Sequence, residues 1–192
     1  MLLPKIKLLV AFLCISRLAT AQEPAAVPSP EIETMHSAKL TFLGLSYAYE
    51  RALSPRTSLT AELMLASDFQ GRSDGWGTTI DIYLAPVVNV EPRFYYNFLK
   101  RTAKGKNTTN NSANYVALSA DYTFGSNISD RLRFEQALSV TPKWGLRRAL
   151  GGQFFFESAV GLSFRKPVYY SWRLVPALNV KFGYVFGKRT AR

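Results

Sequence analysis

Cysteine and histidine are almost missing from this chain of 192 residues, which holds one of each, Cys14 and His36. A lone cysteine forms no intrachain disulfide, and one histidine with one cysteine cannot assemble the usual thiolate and imidazole metal sites. Hydrolytic or transfer chemistry that uses histidine as a general base is left with His36, for which an idle, solvated side chain is the simpler reading. Long apolar runs are missing too. The longest, residues 8–15, is about half of the roughly 20 residues that a spanning helix needs. Acidic residues are few, 13 against 24 lysines and arginines, giving a net charge of +11. That excess points to anionic partners such as lipid head groups.

What the chain has instead is period-two alternation. Ile80, Ile82, Leu84, Pro86, Val88, Val90, Pro92 and Phe94 alternate with Asp81, Asn89, Glu91 and Arg93. The same split recurs where Leu132, Phe134, Leu138, Val140 and Trp144 oppose Arg131, Arg133, Glu135, Ser139 and Lys143. It recurs again where Leu174, Leu178, Val180, Phe182, Tyr184 and Phe186 oppose Arg173, Asn179, Lys181 and Gly183. This is the mark of strands with one apolar face. Strands are expected at 59–65, 80–94, 115–124, 131–144, 154–164 and 173–186. Near Gly44 the apolar phase switches from even to odd positions, which a bulge or a tight hairpin would cause. Six strands and a hairpin give an antiparallel, up-and-down transmembrane β-barrel of eight strands over 38–186, in keeping with the even strand numbers of bacterial outer-membrane barrels. Pro86, Pro92, Pro142 and Pro176 fall inside the periodic runs and are expected at bulges or strand ends, because a closed barrel has no free edge to receive them.

The flanks read differently. Lys5 and Lys7, the apolar run and then Ala19-Thr20-Ala21 form the ordered pattern of a secretory signal peptide, 1–21, cleaved before Gln22. Cys14 lies inside it, and Phe12-Leu13 lacks the small residue expected beside a lipid-modified cysteine. Loss of Lys5, Lys7 and Arg17 would leave a mature excess of about +8. Residues 22–37, with Pro24, Pro28 and Pro30, read as a flexible leader, and 187–192 as a basic tail.

Alternation alone fits a membrane barrel, apolar outside, and a soluble lipocalin-like barrel, apolar inside. The polar face favours the first: Glu50, Glu62, Asp81, Glu91, Arg93, Asp121, Arg133, Glu135, Glu157, Arg165, Arg173 and Lys181 carry both signs among small neighbours, as a tight ion-paired lumen would. Aromatics gather near the expected strand ends, with Tyr95, Tyr96, Trp144, Trp172, Tyr184 and Phe186 as candidate interfacial girdle residues. The closing Phe182, Tyr184 and Phe186 resemble the C-terminal aromatic signal of outer-membrane barrels. No catalytic, cofactor-binding or metal constellation stands out. Ser139 and Ser163 beside Glu135 and Glu157 read as lumen filling, and the Gly-rich 71–77 lacks the Lys-Ser/Thr of a phosphate loop. The basic segment 100–106 and the Asn/Thr tract after it read as a connection on the side of the chain termini, with 67–77, 125–130 and 166–171 at the other end. Anionic head groups or a periplasmic partner suit it better than nucleic acid, and a merely solvated loop is the simplest reading.

Several stretches resemble the small outer-membrane β-barrel proteins of Bacteroidota-type Gram-negative bacteria. They are Tyr49-Glu50-Arg51-Ala52-Leu53, Glu91-Pro92-Arg93-Phe94-Tyr95-Tyr96-Asn97, Gly105-Lys106-Asn107-Thr108 with Asn110-Asn111-Ser112-Ala113-Asn114, and Trp144-Gly145-Leu146-Arg147-Arg148. The resemblance implies an outer-membrane location and says little about activity. The expected role is that of a non-enzymatic envelope barrel, structural or binding through its loops. Its expected partners are outer-membrane lipid, lipopolysaccharide and, during insertion, the barrel-assembly machinery. The alternatives are a narrow porin-like pore for small solutes and, less favoured, a lipid-modifying enzyme.

Overall fold

The computed structural model describes residues 31–42, 44–73, 78–125, 127–129, 132–133 and 136–187; for 67–73, 78–84, 127–129 and 132–133 only the backbone is described. The expected signal peptide, most of the leader and the tail beyond Gly187 lie outside the described residues. Strands β1 (Met35–Thr41), β2 (Gly44–Ser54), β3 (Thr57–Ser73), β4 (Thr78–Phe94) and β5 (Asn114–Thr123) are followed by a two-stranded hairpin, β6 (Asn127–Ser129) and β7 (Leu132–Arg133). Strands β8 (Ala137–Gly151), β9 (Phe154–Pro167) and β10 (Arg173–Phe186) complete the chain. The fold is a closed antiparallel up-and-down barrel of eight strands in the order β1-β10-β9-β8-β5-β4-β3-β2, with β6 and β7 apart from it.

Among the described side chains, the eight barrel strands turn their apolar set outward and their polar set inward. On β4, Asn89, Glu91 and Arg93 are buried while Val88, Val90 and Phe94 are exposed, and on β1 and β2 the buried set is Ser37, Lys39, Ser46 and Glu50 against exposed Leu40, Leu45, Tyr47 and Tyr49. The phase switch near Gly44 is a hairpin, with Thr41 paired to Gly44. At the opposite end, the Ser54 hydroxyl accepts the Thr57 N–H at 3.1 Å to close the β2–β3 turn. Gly152, at φ 53°, supplies the left-handed residue between β8 and β9.

The prolines enter without the expected bulges, because each N–H position loses a bond to one neighbour only. Arg147 N–H donates to Ala113 O, so odd residues of β8 face β5 and even ones, including Pro142, face β9. The β8–β9 register accordingly skips Thr141 and Pro142 and resumes unshifted at Lys143↔Gly161. Pro92 leaves a similar gap toward β5, and Pro86 lies just past the last β4–β5 pair, Val87↔Thr123. Pro176 lies past the last β1–β10 pair, Thr41↔Lys181. The register shifts within the barrel, at Ala52/Ser54 and Ala149/Gly151, sit at strand ends away from these four prolines.

Several expected boundaries move. The strand expected at 59–65 runs from Thr57 to Ser73 and takes in part of the connection expected at 67–77. The strand expected at 131–144 begins at Ala137, runs on to Gly151, and leaves Leu132–Arg133 in the separate hairpin. The end of the expected leader is structured: Ile32 packs with Tyr95, Phe98, Ala113 and Tyr115 at the base of the barrel. A helix, Phe98–Ala103, and a 3-10 turn, Thr109–Asn111, complete this base. Asn110 and Asn111, both left-handed, are buried in it. Asn111 exchanges two hydrogen bonds with the Glu33 backbone (2.8 and 2.9 Å), and Asn110 Nδ2 donates to Gly152 O at 3.2 Å. The Asn tract therefore latches the base rather than forming a solvated loop, since a left-handed backbone suits asparagine and its amide can bond neighbouring backbone.

Candidate functional site

The inward face of the lower barrel is filled by charge. At its centre Glu157 receives both Nη atoms of Arg93, at 2.9 Å each, and the Nε and Nη2 of Arg147 at 2.9 and 2.6 Å. Arg93 also donates from Nε to Glu91 at 2.8 Å, and Lys143 closes on the other oxygen of Glu91 at 2.5 Å. Arg147 reaches Glu50 at 2.6 Å, where the Ser58 and Tyr95 hydroxyls donate to the second oxygen at 2.7 and 2.6 Å. On the wall beside them, Glu62 takes Lys39 at 2.9 Å, Lys181 at 2.6 Å and the Ser46 hydroxyl at 2.7 Å. Every oxygen of these four carboxylates has a donor.

The two central arginines are clamped by aromatic faces as well. Arg93 lies over the Tyr115 ring at 4.6 Å and Arg147 over Phe155 at 4.8 Å. Each ring in turn covers a glycine directly across the sheet, Tyr115 on Gly145 and Phe155 on Gly183. A Cβ at either glycine would run into the ring, so the missing side chain makes the space for the stack. Glycine, ring, guanidinium and carboxylate thus follow one another from wall to centre, twice. Just beyond the end of β4, burial pushes the Tyr95 phenol well above its usual pKa, which keeps it a donor to Glu50.

Of the expected lumen charges, Glu50, Glu62, Glu91, Arg93, Glu157 and Lys181 meet in this network. Asp121 lies higher, accepting from Asn89 Nδ2 at 2.6 Å and from the Ser119 hydroxyl at 2.9 Å. Arg165 and Arg173 share the inner face but are exposed at the upper rim, where they pair across β9 and β10. The side chain of Asp81 and all of Glu135 lie outside the described residues, and Arg133 sits in the β6–β7 hairpin rather than in a barrel strand. Lys39, Lys143 and Arg147 belong to the network and were not among the expected charges. Parity could have found all three, since Lys143 and Arg147 share the odd face of β8 with Thr141, and Lys39 the odd face of β1 with Ser37.

The expected girdle residues divide. Tyr96, Trp144, Trp172, Tyr184 and Phe186 are exposed. Trp144 Nε1 donates to the Tyr96 hydroxyl at 2.8 Å on the outer surface. Tyr95 is a correction: it is completely buried, because adjacent residues leaving Phe94 must take opposite sides and Tyr96 takes the outside. His36 lies on the outer side of β1 against Tyr49, its ring 4.6 Å away, with Tyr47 OH at 2.6 Å from Nδ1. Ser163 accepts from the Thr141 hydroxyl at 2.9 Å and has no histidine beside it. Among the described residues no three His, Cys, Asp or Glu side chains converge as a metal site.

At the base, an open pocket of about 310 Å³ is lined by Tyr96, Asn97, Lys100, Arg101, Lys104 and Lys106. Arg101 is fixed by the Ser112 and Asn107 carbonyls, both at 2.9 Å. None of these cations has a carboxylate partner among the described residues.

Fold and site together define the class: a closed eight-stranded β-barrel, apolar outside, with an ion-paired interior. Comparison with protein-family models, with curated proteins and with solved structures finds no match to this chain.

Proposed function

We propose that this protein is an integral outer-membrane barrel of a Gram-negative envelope, exported by a cleaved signal peptide, whose lumen is sealed and whose role is structural or loop-mediated binding. One observation carries the reading: the buried side is charged and fully paired while the exposed side is apolar. Leu40, Leu45, Leu63, Leu118, Leu162 and Leu178 are all about half exposed or more, in a band around the whole circumference. Water would not stabilise such a surface, and monomeric soluble proteins rarely carry so large an apolar patch. Lipid would, and closure leaves the backbone of the paired region no edge to solvate. Membership of the small Bacteroidota-type barrels that its motifs resemble is part of the same proposal.

A sealed lumen is favoured over a pore by two stacked barriers, the charge network and the apolar base of Ile32, Tyr95, Phe98 and Tyr115 beneath it. The basic pocket beside Tyr96 and Trp144 suits an anionic phospholipid head group whose chains lie on the adjoining wall, each nearby lysine adding about 1 kcal/mol of attraction. Planar-bilayer recording tests the reading. Protein whose gel migration is heat-modifiable should give no stepwise conductance. Reproducible single-channel steps that change with Arg93→Ala would establish the pore instead.

A further inference from the structure

The basic pocket at the base is shaped by a chain that folds back on itself. Gly105, left-handed at φ 61°, turns the loop so that the Lys104 and Lys106 N–H groups both return to the Arg101 carbonyl, at 3.2 and 3.0 Å. Lys100, Arg101, Lys104 and Lys106 are thereby gathered around one opening. Capping of the helix Phe98–Ala103 does not explain these cations, because backbone N–H groups, not lysine side chains, occupy the Arg101 and Thr102 carbonyls.

The uncharged residues of the lining present donors only. Arg148 Nη2 donates to Asn114 Oδ1 at 2.5 Å, which fixes the Asn114 amide and turns its Nδ2 to the Tyr96 hydroxyl at 3.2 Å. Trp144 Nε1 donates to the same hydroxyl at 2.8 Å. With two hydrogen bonds accepted, the Tyr96 oxygen has its O–H left to give, and that proton has no acceptor among the described residues. Asn97 is in the same condition, since its Oδ1 accepts the Asn114 N–H at 2.8 Å and leaves Nδ2 to donate. Arg101 gives Nε and Nη2 to the Ser112 and Asn107 carbonyls, which holds the guanidinium in place with Nη1 unused.

Directly above, the outer wall is apolar. Phe94, Val116 and Trp144 are exposed neighbours across β4, β5 and β8, with Leu118 next along β5. Donors below and an apolar wall above match an amphiphile with an anionic head. Lys100, Arg101, Lys104, Lys106 and, behind Asn114, Arg148 bring five positive charges to this corner, none paired with a carboxylate among the described residues. A head with one phosphodiester leaves most of that charge unbalanced, and a head with two balances more of it.

We propose that this corner binds a lipid of the diphosphatidylglycerol class. One phosphodiester accepts from Tyr96, Asn97 and Arg101, the second lies on Lys104 and Lys106, and the acyl chains run up the wall of Phe94, Val116 and Trp144. This names the lipid class for the head-group pocket proposed above and rests on the membrane reading.

Native mass spectrometry tests it on the full chain refolded in detergent, with folding verified by heat-modifiable migration. Diphosphatidylglycerol and phosphatidylglycerol are titrated at equal phosphate, and bound lipids are counted. The proposal expects one diphosphatidylglycerol to bind about tenfold more tightly, as two further cation contacts imply. The combined Lys104→Gln and Lys106→Gln change, at two exposed positions, should bring it down to the level of phosphatidylglycerol, while Lys166→Gln at the other end of the barrel should leave it unaltered. Tyr96→Phe should weaken both lipids. Equal binding of the two lipids by the parent overturns the two-phosphate assignment, and indifference to the Lys104 and Lys106 changes overturns the pocket as its place. Inorganic pyrophosphate binding as tightly as the lipid overturns the lipid as occupant. The membrane reading is tested apart, by flotation with uncharged phosphatidylcholine vesicles, which parent and variants should all show. Flotation without any lipid preference overturns this site alone, and failure of every form to float overturns both.

Discussion

Arg147 and Glu50, on strands β8 and β2, meet across the barrel interior at 2.6 Å. No shared strand pairing brings them together, so their contact is made through the lumen and not along the wall. Arg147 also holds Glu157, and removing its guanidinium would leave two buried carboxylates short of a partner. Arg147→Met should therefore cost about 3–5 kcal/mol. Urea unfolding of the refolded protein in lipid or detergent measures it. The combined change of Arg147→Met with Glu50→Gln should recover part of the loss, because one orphaned charge is removed with it.

The two glycine–aromatic stacks make a steric prediction. Gly145→Ala and Gly183→Ala would press a methyl into the rings of Tyr115 and Phe155, which are held by Arg93 and Arg147 and cannot swing aside freely. Each should destabilise by about 1–3 kcal/mol, an overpacking cost. Gly105→Ala, in the base loop, provides a contrast: it meets no neighbouring atom but sits at φ 61°, so any cost there is backbone strain rather than overpacking.

How much of this was legible in sequence depends on what period two can carry. Alternation places Glu91 and Arg93 on one face and Val90 and Phe94 on the other, and the structure has them so. The parity switch at Gly44 allowed a bulge or a hairpin, and the structure has the hairpin. Alternation does not say where a strand ends, so Arg133 and Glu135 were assigned to a barrel strand that starts only at Ala137, and Arg147 was missed beyond an expected end at Trp144. It also does not say which neighbour a proline faces, which is why Pro142 and Pro176 looked more disruptive than they are. The base was the least legible part. Ile32 and the Asn110–Asn111 latch depend on contacts from opposite ends of the chain, with no periodic signal to announce them.

The outer wall gives a mutational test. Leu118 is exposed midway along β5, opposite Pro142 on β8. If its surroundings are hydrocarbon, Leu118→Arg should cost about 2–4 kcal/mol in bilayers. Folding equilibria into vesicles should register the loss, whereas an equal stability of variant and parent would mean that this face meets water.

Tyr95 sets an alkaline limit. Its phenol is raised by burial above the ordinary value of 10.0, so the folded protein keeps a proton that the unfolded chain gives up. The stabilisation is complete below about pH 10 and declines as pH climbs further. Tyr95→Phe should lose the hydrogen bond to Glu50, a cost of about 1–3 kcal/mol, and should flatten the decline above pH 10 in unfolding curves.

The direct test of a lipid-facing wall uses Trp144, exposed at the outer surface and hydrogen-bonded to Tyr96. With Trp76 and Trp172 replaced by phenylalanine, Trp144 fluorescence is followed in vesicles whose acyl chains carry bromine at defined depths. Strong quenching, greatest for bromines near the head-group end of the chain, is the predicted result. Fluorescence untouched by bromine at every depth in a correctly folded barrel would contradict the account.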